Sequence, residues 1–317
     1  MGNRLFRVGT RGSRLSLIQT ELVLNRLRSL NQGVEFEVVR IKTLGDWEQA
    51  RSLFYFDRKG VFEKEIDDAI LRGAVDFGVH SLKDVPVEVR EGLVLAAIPS
   101  RGSPYDALVS RGSATLWDLP RGAVVGTSSL RRAAELRAVR PDLRVKPIRG
   151  NVDTRLAKLD AGEYDALILA EEGLRRLGLE GRVSQRLLPP SFLPAAGQGA
   201  LGVVSRDDDG ELLALLRQID DPPSRAEVTA ERALISILGG GCRVPIGALA
   251  RADGERLSLE ASILSLDGRR CIHHRAEDVV TAPLRLAEQV ARALLERGAR
   301  DLVDEWRTAD WSLAAGG

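Results

Sequence analysis

One short pattern occurs twice and limits the fold more than any other feature of the chain. Arg7-Val8-Gly9-Thr10-Arg11-Gly12-Ser13 runs into a segment of helical periodicity, and Val124-Val125-Gly126-Thr127-Ser128-Ser129 runs into another. Both read as strand, Gly-Thr, Ser, helix. Leu15, Ile18, Leu22, Leu27 and Leu30 lie near one stripe of the first helix, and the second spans Leu130 to Val139. A helix N-terminus offers unpaired N–H groups and a positive dipole end, which suits an anion. Ser13 and Ser129 also fit as plain N-caps, and either reading accounts for one copy alone. Two copies at matching places point to two similar lobes, each aiming an anion-binding loop into a shared cleft.

The surrounding sequence supports two lobes of that kind. Leu5 to Val8, Val34 to Val38, Val75 to Val79 and Leu93 to Ile98 read as strands, with helical spacing at Phe62, Ile66, Ala69 and Ile70. A second run gives strands at 123–126, 143–148 and 166–170 and helices at 130–139 and 152–161. Such alternation predicts α/β domains with largely parallel sheets. PSRGSP (99–104) and LLPPSFLPAAGQG (187–199) interrupt it, and hinges are expected at 99–104 and 188–199. A strand at 201–204 and a helix at 210–219 follow, and DDPPS (220–224) reads as a linker. The predicted domains are 1–99 with 200–219, then 105–190, then 223–317, the last a smaller α+β unit. Its opening helix is expected to carry a capping box, Ser224 to Glu227, and its closing helix lies near 283–297.

The chain has 317 residues with 46 basic and 45 acidic side chains, a net charge of +1. That balance argues against a general nucleic-acid binder. No apolar run reaches the length of a membrane helix, and the first residues lack the apolar core of a secretory signal. Two cysteines, Cys242 and Cys271, make no disulfide framework, and a cytoplasmic setting is expected. Charge is concentrated locally. Between Arg121 and Arg155 nine basic residues face three acidic ones. Arg131 and Arg132 fall in the first turn after the second anion loop, and Arg149 and Arg155 flank a strand end. Ligands of open α/β sheets bind beyond the carboxyl ends of strands, and arginine grips carboxylates with two parallel hydrogen bonds. A ligand carrying several carboxylates is the functional reading, and solvated helix-face charge is the plain one for Arg137, Arg140 and Arg144.

Two further segments carry chemistry. In HSLKDVP (80–86) Lys83 and Asp84 follow a strand end, as a surface ion pair or as a carboxylate placed to move protons. His80 reads as structural. In GGGCRVPIG (239–247) Cys242 sits on a glycine loop beside Arg243, as an inert thiol or as one activated by the neighbouring charge. Cys271-Ile272-His273-His274 has no second ligand cluster, and no metal site is expected. GQGALG (197–202) matches a dinucleotide fingerprint literally, but it leads into a strand instead of a helix, so the match is set aside.

Taken together, VGTRGSRLSLIQT, KGVFEKEID, DFGVHSLKDVP, VGTSSLRRAAEL, IRGNVDTRL, LPAAGQGALG, TAERA and GGGCRVPIGA resemble the porphobilinogen deaminase (hydroxymethylbilane synthase) family, in family order over nearly the whole chain. The resemblance implies two lobes like type II periplasmic binding proteins and a third domain whose cysteine, here Cys242, carries a dipyrromethane cofactor through a thioether. It implies a cytoplasmic, monomeric transferase that joins four porphobilinogen molecules head to tail, with loss of ammonia, into hydroxymethylbilane. By motif match Asp84 is the catalytic carboxylate, which stabilises the azafulvene cation left by deamination. Lys83, Ser129, Arg131, Arg132 and Arg176 hold cofactor carboxylates. Arg11, Ser13, Gln19, Thr127, Arg149 and Arg155 serve the substrate and growing chain. Lys59 and Phe62 belong to a segment over the cleft, and Gln198 to the stretch crossing back between lobes.

Three departures from the family pattern stand out. LILAEEGL places Glu171 and Glu172 where the family has small residues, FDRKG carries Asp57 and Arg58 before Lys59, and Gly239 replaces a common glutamate. An added carboxylate near Arg176 is expected to weaken cofactor binding, unless the glutamates pair with nearby arginines. The rival function is a non-catalytic small-carboxylate-binding protein of the same two-lobe architecture, which would need neither Cys242 nor the third domain.

Overall fold

The computed structural model describes residues 4–42, 64–239 and 245–308. In chain order the elements begin with β1 (Leu5–Thr10), α1 (Arg14–Leu30), β2 (Glu35–Arg40), α2 (Lys64–Leu71), β3 (Phe77–Ser81) and β4 (Leu93–Ala97). Then come β5 (Asp106–Ser110), β6 (Val124–Gly126), α3 (Leu130–Val139), β7 (Arg144–Lys146), α4 (Val152–Asp160), β8 (Ala166–Ala170), α5 (Glu171–Arg176) and β9 (Gln185–Leu187). The chain continues through β10 (Leu201–Arg206), α6 (Gly210–Arg217) and α7 (Pro222–Ile237). It ends with β11 (Ile246–Asp253), β12 (Arg256–Leu264), β13 (Cys271–Val279), α8 (Pro283–Glu296) and α9 (Ala299–Thr308).

Two compact units result, one of residues 1–102 and 199–225 and one of residues 103–198 and 226–317. The first holds a sheet of order β2-β1-β3-β10-β4 and the second a sheet of order β7-β6-β8-β5-β9. In each, four strands run parallel and the fourth in the row runs antiparallel to its neighbours. The odd strand differs in origin. In the first sheet it is β10, where the chain returns, and in the second it is β5, where the chain enters. This exchange of one strand between two otherwise equal sheets defines the type II two-lobe α/β class. It also completes the expectation of largely parallel sheets, because β5 is a short, fully buried strand without a period-two pattern.

Each sheet is seated on its own core. In the first unit Phe6, Val8, Phe77, Val79 and Val203 meet Val23, Leu24 and Leu27 of α1 and Leu212, Leu215 and Leu216 of α6. Ile66 and Ile70 of α2 close the opposite face against Val75 and Val204. In the second unit Val125, Ala166 and Ile168 pack on Leu136 of α3, while Leu167 and Leu169 pack on Leu156 and Leu159 of α4. The antiparallel sheet β11-β12-β13 is covered by α7, α8 and α9, with Leu234, Leu259, Val290 and Val303 fully buried. Trp306 of α9 is also buried, and its indole N–H donates to the Leu264 carbonyl at 2.6 Å.

Local chemistry explains one shifted boundary and one departure from the family pattern. The helix opening the C-terminal region starts at Pro222, three residues earlier than a Ser224–Glu227 capping box would have it. Asp221 is the capping group: its carboxylate accepts the Ser224 N–H at 3.0 Å and the Ser224 hydroxyl at 2.6 Å. Proline lacks the N–H that the first helical turn leaves unpaired, so Pro222 and Pro223 fit there. Glu227 instead accepts the Ala252 N–H at 3.0 Å. Gly239 has φ +65°, and a Cβ there would lie 2.7 Å from Arg307 Nη2. A glutamate would be strained at this place, which accounts for that departure.

Candidate functional site

Among the described residues, most of the predicted ones lie on segments that follow the carboxyl ends of parallel strands. In the first, Arg11 and Ser13 follow β1, and Lys83 and Asp84 follow β3 on the next strand of the sheet. Ser13 caps α1: its hydroxyl oxygen accepts the Ser16 N–H at 3.2 Å. Gln19 is buried in α1, and its amide donates to the Ser81 hydroxyl at 3.0 Å, which ties the helix to the end of β3. Lys83 and Asp84 are exposed on a single 3-10 turn, Leu82–Asp84. That turn is anchored by Leu82, whose side chain is fully buried and whose N–H donates to the Ala200 carbonyl at 3.0 Å. Gly202 makes the room, since a Cβ there would lie 2.9 Å from Leu82 Cδ1. The glycine of the discarded dinucleotide match therefore has a packing role beneath the Lys83–Asp84 turn.

In the second unit Thr127 and Ser129 follow β6, the second strand in its row, Arg149 and Arg155 follow β7, and Arg176 ends α5, which directly follows β8. Neighbouring strands lie about 4.8 Å apart, so these strand ends form one edge. The loops are tied together. The Ser128 hydroxyl donates to the Ile148 carbonyl at 2.7 Å and accepts the Ile148 N–H at 3.0 Å. Thr127 is buried, and its hydroxyl oxygen accepts the Ser129 N–H at 3.1 Å. Ser129 caps α3. Capping uses only an acceptor site of each serine, so the Ser129 cap is compatible with donating its hydroxyl proton to an anion, whereas the Ser13 hydroxyl also shares a 2.7 Å hydrogen bond with the Ser16 hydroxyl. Arg155 donates from Nε to the Gly150 carbonyl at 2.8 Å.

Arg131 and Arg132 lie deeper than their neighbours, 5% and 7% exposed. Arg131 Nη1 donates to Asp106 and Glu135, both at 2.8 Å, and to the Leu193 carbonyl at 2.7 Å. Arg132 binds Asp106 through Nε and Nη2, at 3.0 and 2.6 Å, and the Ile168 carbonyl through Nη1. Gln198 joins them: its amide N–H groups reach the Pro104 carbonyl and Asp106, and its carbonyl oxygen accepts from Arg132. Burial alone would raise the Asp106 pKa, but Arg131 and Arg132 outweigh it and hold the carboxyl below the ordinary range. Burial pushes Glu135 up to about 8, with Arg131 opposing. Asp106 and Glu135 were not among the predicted residues. The available signal was an acidic residue opening the apolar strand DALVS.

Glu171 and Glu172 each find arginine partners. Glu171 accepts Arg186 in a bidentate pair, at 2.6 and 2.9 Å, while Glu172 lies 3.2 Å from Arg176 and 3.5 Å from Arg175. Lys59, Phe62 and Cys242, with Asp57 and Arg58, lie outside the described residues.

Comparison with known proteins decides the family. Residues 6–214 match the model described as "Porphobilinogen deaminase, dipyromethane cofactor binding domain", and residues 225–296 match the C-terminal domain of the same enzyme. The chain belongs to the porphobilinogen deaminase family. It is 49% identical over 296 residues to the porphobilinogen deaminase of Desulforudis audaxviator, covering 93% of this chain and 96% of that one. It is 50% identical over 299 residues to that of Xanthomonas campestris pv. campestris, covering 94% and 98%. Among solved structures, the extracellular-binding protein YtmK of a probable amino-acid ABC transporter from Bacillus subtilis aligns with a TM-score of 0.41 at 12% identity, over 68% of this chain and 90% of that one. The second substrate-binding domain of Lactococcus lactis GlnP aligns with a TM-score of 0.39 at 17% identity, over 68% and 87%. Membership in the porphobilinogen deaminase family brings with it the dipyrromethane cofactor of the matched domain.

Proposed function

We propose that this chain joins four porphobilinogen molecules into hydroxymethylbilane on a dipyrromethane primer held by a thioether to Cys242. The observation that carries this reading is the edge formed by the strand ends of the second sheet, where Ser129, Arg149, Arg155 and Arg176 lie on the segments that follow three adjacent parallel strands. The donor chemistry fits a ligand with several carboxylates. Arg149 is half-buried, and burial alone perturbs its pKa, downward. A guanidinium withdrawn from water in this way gains from a ligand carboxylate.

Arg149, Arg155 and Arg176, with the hydroxyl proton of Ser129, would hold and orient carboxylates of the primer and growing chain. The dipyrromethane, when bound, supplies an open pyrrole carbon as the first acceptor. In each cycle the aminomethyl C–N bond of porphobilinogen breaks, ammonia leaves, its methylene carbon bonds to the acceptor pyrrole, and that pyrrole carbon loses one proton. Asp84 stabilises the positive charge that develops as ammonia departs and accepts pyrrole N–H groups. Its place on a short turn anchored by buried Leu82 supports that role, because the carboxylate is exposed while its backbone is fixed. Arg11 and Ser13, beyond the adjacent strand, serve the incoming substrate carboxylates, and Lys83 a primer carboxylate. Arg131 and Arg132 serve primer carboxylates as well, and their internal partners fix them at the start of α3.

The reading also includes three domains (1–99 with 200–219, 105–190 and 223–317) and a cytoplasmic monomer, the latter checked by light scattering on the purified chain. Intact mass under denaturing conditions tests the function. After incubation with porphobilinogen, wild type should carry an increment of at least two pyrrole units that Cys242→Ala lacks. An unmodified wild type after that treatment would overturn the covalent-primer reading.

A further inference from the structure

Arg176 is read above as a holder of a primer carboxylate, yet it already faces one. Glu172 Oε1 lies 3.2 Å from Arg176 Nε, and the two side chains are 13% and 8% exposed. Glu172 is fixed from its other oxygen, which accepts the Ser103 N–H at 2.9 Å. Arg175, 58% exposed and 3.5 Å away, adds little. The neighbouring Glu171 is turned elsewhere: it is committed to Arg186 and to the Ser103 hydroxyl. Of the two glutamates that depart from the family pattern, only Glu172 addresses Arg176.

We infer that Glu172 is a resident counter-ion in the Arg176 carboxylate position, and that it sets the affinity of this position for the ligand's carboxylates. The inference rests on the reading of Arg176 under Proposed function and deepens it. A ligand carboxylate arriving at Arg176 meets a second negative charge within a few ångströms of the same guanidinium. Either the two share one cation against their mutual repulsion, or Glu172 is displaced and gives up its contact with Arg176. Both routes weaken ligand binding relative to a site with a neutral residue at 172. In return, Glu172 keeps the buried Arg176 charge compensated before any ligand is present. Its bond to Ser103 resists displacement, so the competition is built into the backbone and not left to a mobile side chain.

Glu172→Gln separates charge from shape, because the amide oxygen can still accept the Ser103 N–H. The probe is a synthetic dipyrromethane bearing two acetates and two propionates, titrated calorimetrically into full-length protein carrying Cys242→Ala so that binding stays non-covalent. Glu172→Gln should bind the probe about tenfold more tightly, Arg176→Gln about tenfold more weakly, and the gain from Glu172→Gln should vanish when Arg176→Gln is also present. Glu172→Asp, with the carboxylate withdrawn by one methylene, should fall between wild type and Gln. Should Glu172→Gln bind no better while Arg176→Gln binds worse, the counter-ion inference is overturned and the reading of Arg176 stands. Should Arg176→Gln bind as tightly as its parent, the reading of Arg176 itself fails.

Discussion

Asp106 is 2% exposed and lies between two guanidinium groups that are themselves buried. Asn at this position keeps the shape and removes the charge, leaving Arg131 its contact with Glu135 and taking from Arg132 the carboxylate it binds. Breaking a buried pair from one side costs about 3–5 kcal/mol. Asp106→Asn should therefore lose about that much in urea unfolding, and a loss below about 0.5 kcal/mol would show that the cluster adds no net stability. His80 makes a second prediction at this scale. It is buried, and desolvation lowers its pKa to about 4 from 6.5. The folded state binds the proton less readily than the unfolded one, so the contribution of neutral His80 is complete above pH 6.5 and is lost as pH falls toward 4. The slope approaches about 1.4 kcal/mol per pH unit in that window. His80→Gln should lack it, and the stability gap between wild type and variant should narrow on acidification; parallel pH curves would refute this. The sequence exposed the arginines but not their depth. Arg131 and Arg132 look like Arg149 in a one-dimensional charge count, and what distinguishes them is Asp106, 25 and 26 positions away.

Among the elements, turns and close approaches govern what can be substituted. A Cβ at Gly202 of β10 would meet both Leu82 Cδ1 and Leu95 Cδ1 at 2.9 Å. Gly202→Ala should cost about 1–3 kcal/mol and shift the turn bearing Lys83 and Asp84. In a steady-state assay kcat should fall more than thermal stability explains, whereas a variant with wild-type kcat would separate that turn from the chemistry. Gly268, in the turn between β12 and β13, packs against the backbone of α3: its Cβ would lie 2.6 Å from the Ala138 nitrogen and 2.7 Å from the Ala134 carbonyl oxygen, at φ +74°. Backbone cannot retreat as a side chain can, so Gly268→Ala should be the more destabilising of the two, by thermal melting. The longer elements were legible. The spacing of α3 and the run ALILA of β8 are read correctly from the sequence. The three-residue β9 and six-residue α5 were not, because elements so short complete too little of a period to register.

For the whole molecule, strand order makes the duplicated Gly-Thr pattern intelligible. Gly9-Thr10 and Gly126-Thr127 end or follow the second strand in the row of each of two equal sheets, so each repeat places its helix N-terminus beyond the carboxyl end of its sheet. Repetition made that much legible; the exchange of β5 and β10 depends on long-range pairing that no local pattern records. The same scale governs electrostatics. Net charge is +1, yet the segment 121–155 holds nine basic and three acidic residues. Structure trims that excess, since Arg131 and Arg132 share the buried carboxylate of Asp106 and Arg140 pairs with Asp142 at 2.7 Å. What remains for a ligand is a short-range field at the strand ends, with no molecule-wide positive potential behind it. Added salt screens exposed charges over about 10 Å at 0.1 M. Raising NaCl from 0.05 to 0.5 M should therefore raise the KM for porphobilinogen severalfold and leave kcat nearly unchanged, as the proposed role of Asp84 at contact distance requires. A long polyanion such as heparin should not compete at low salt, since it needs an extended basic surface. Strong inhibition by heparin, or a KM indifferent to salt, would mean that the carboxylates are not recognised by this local field.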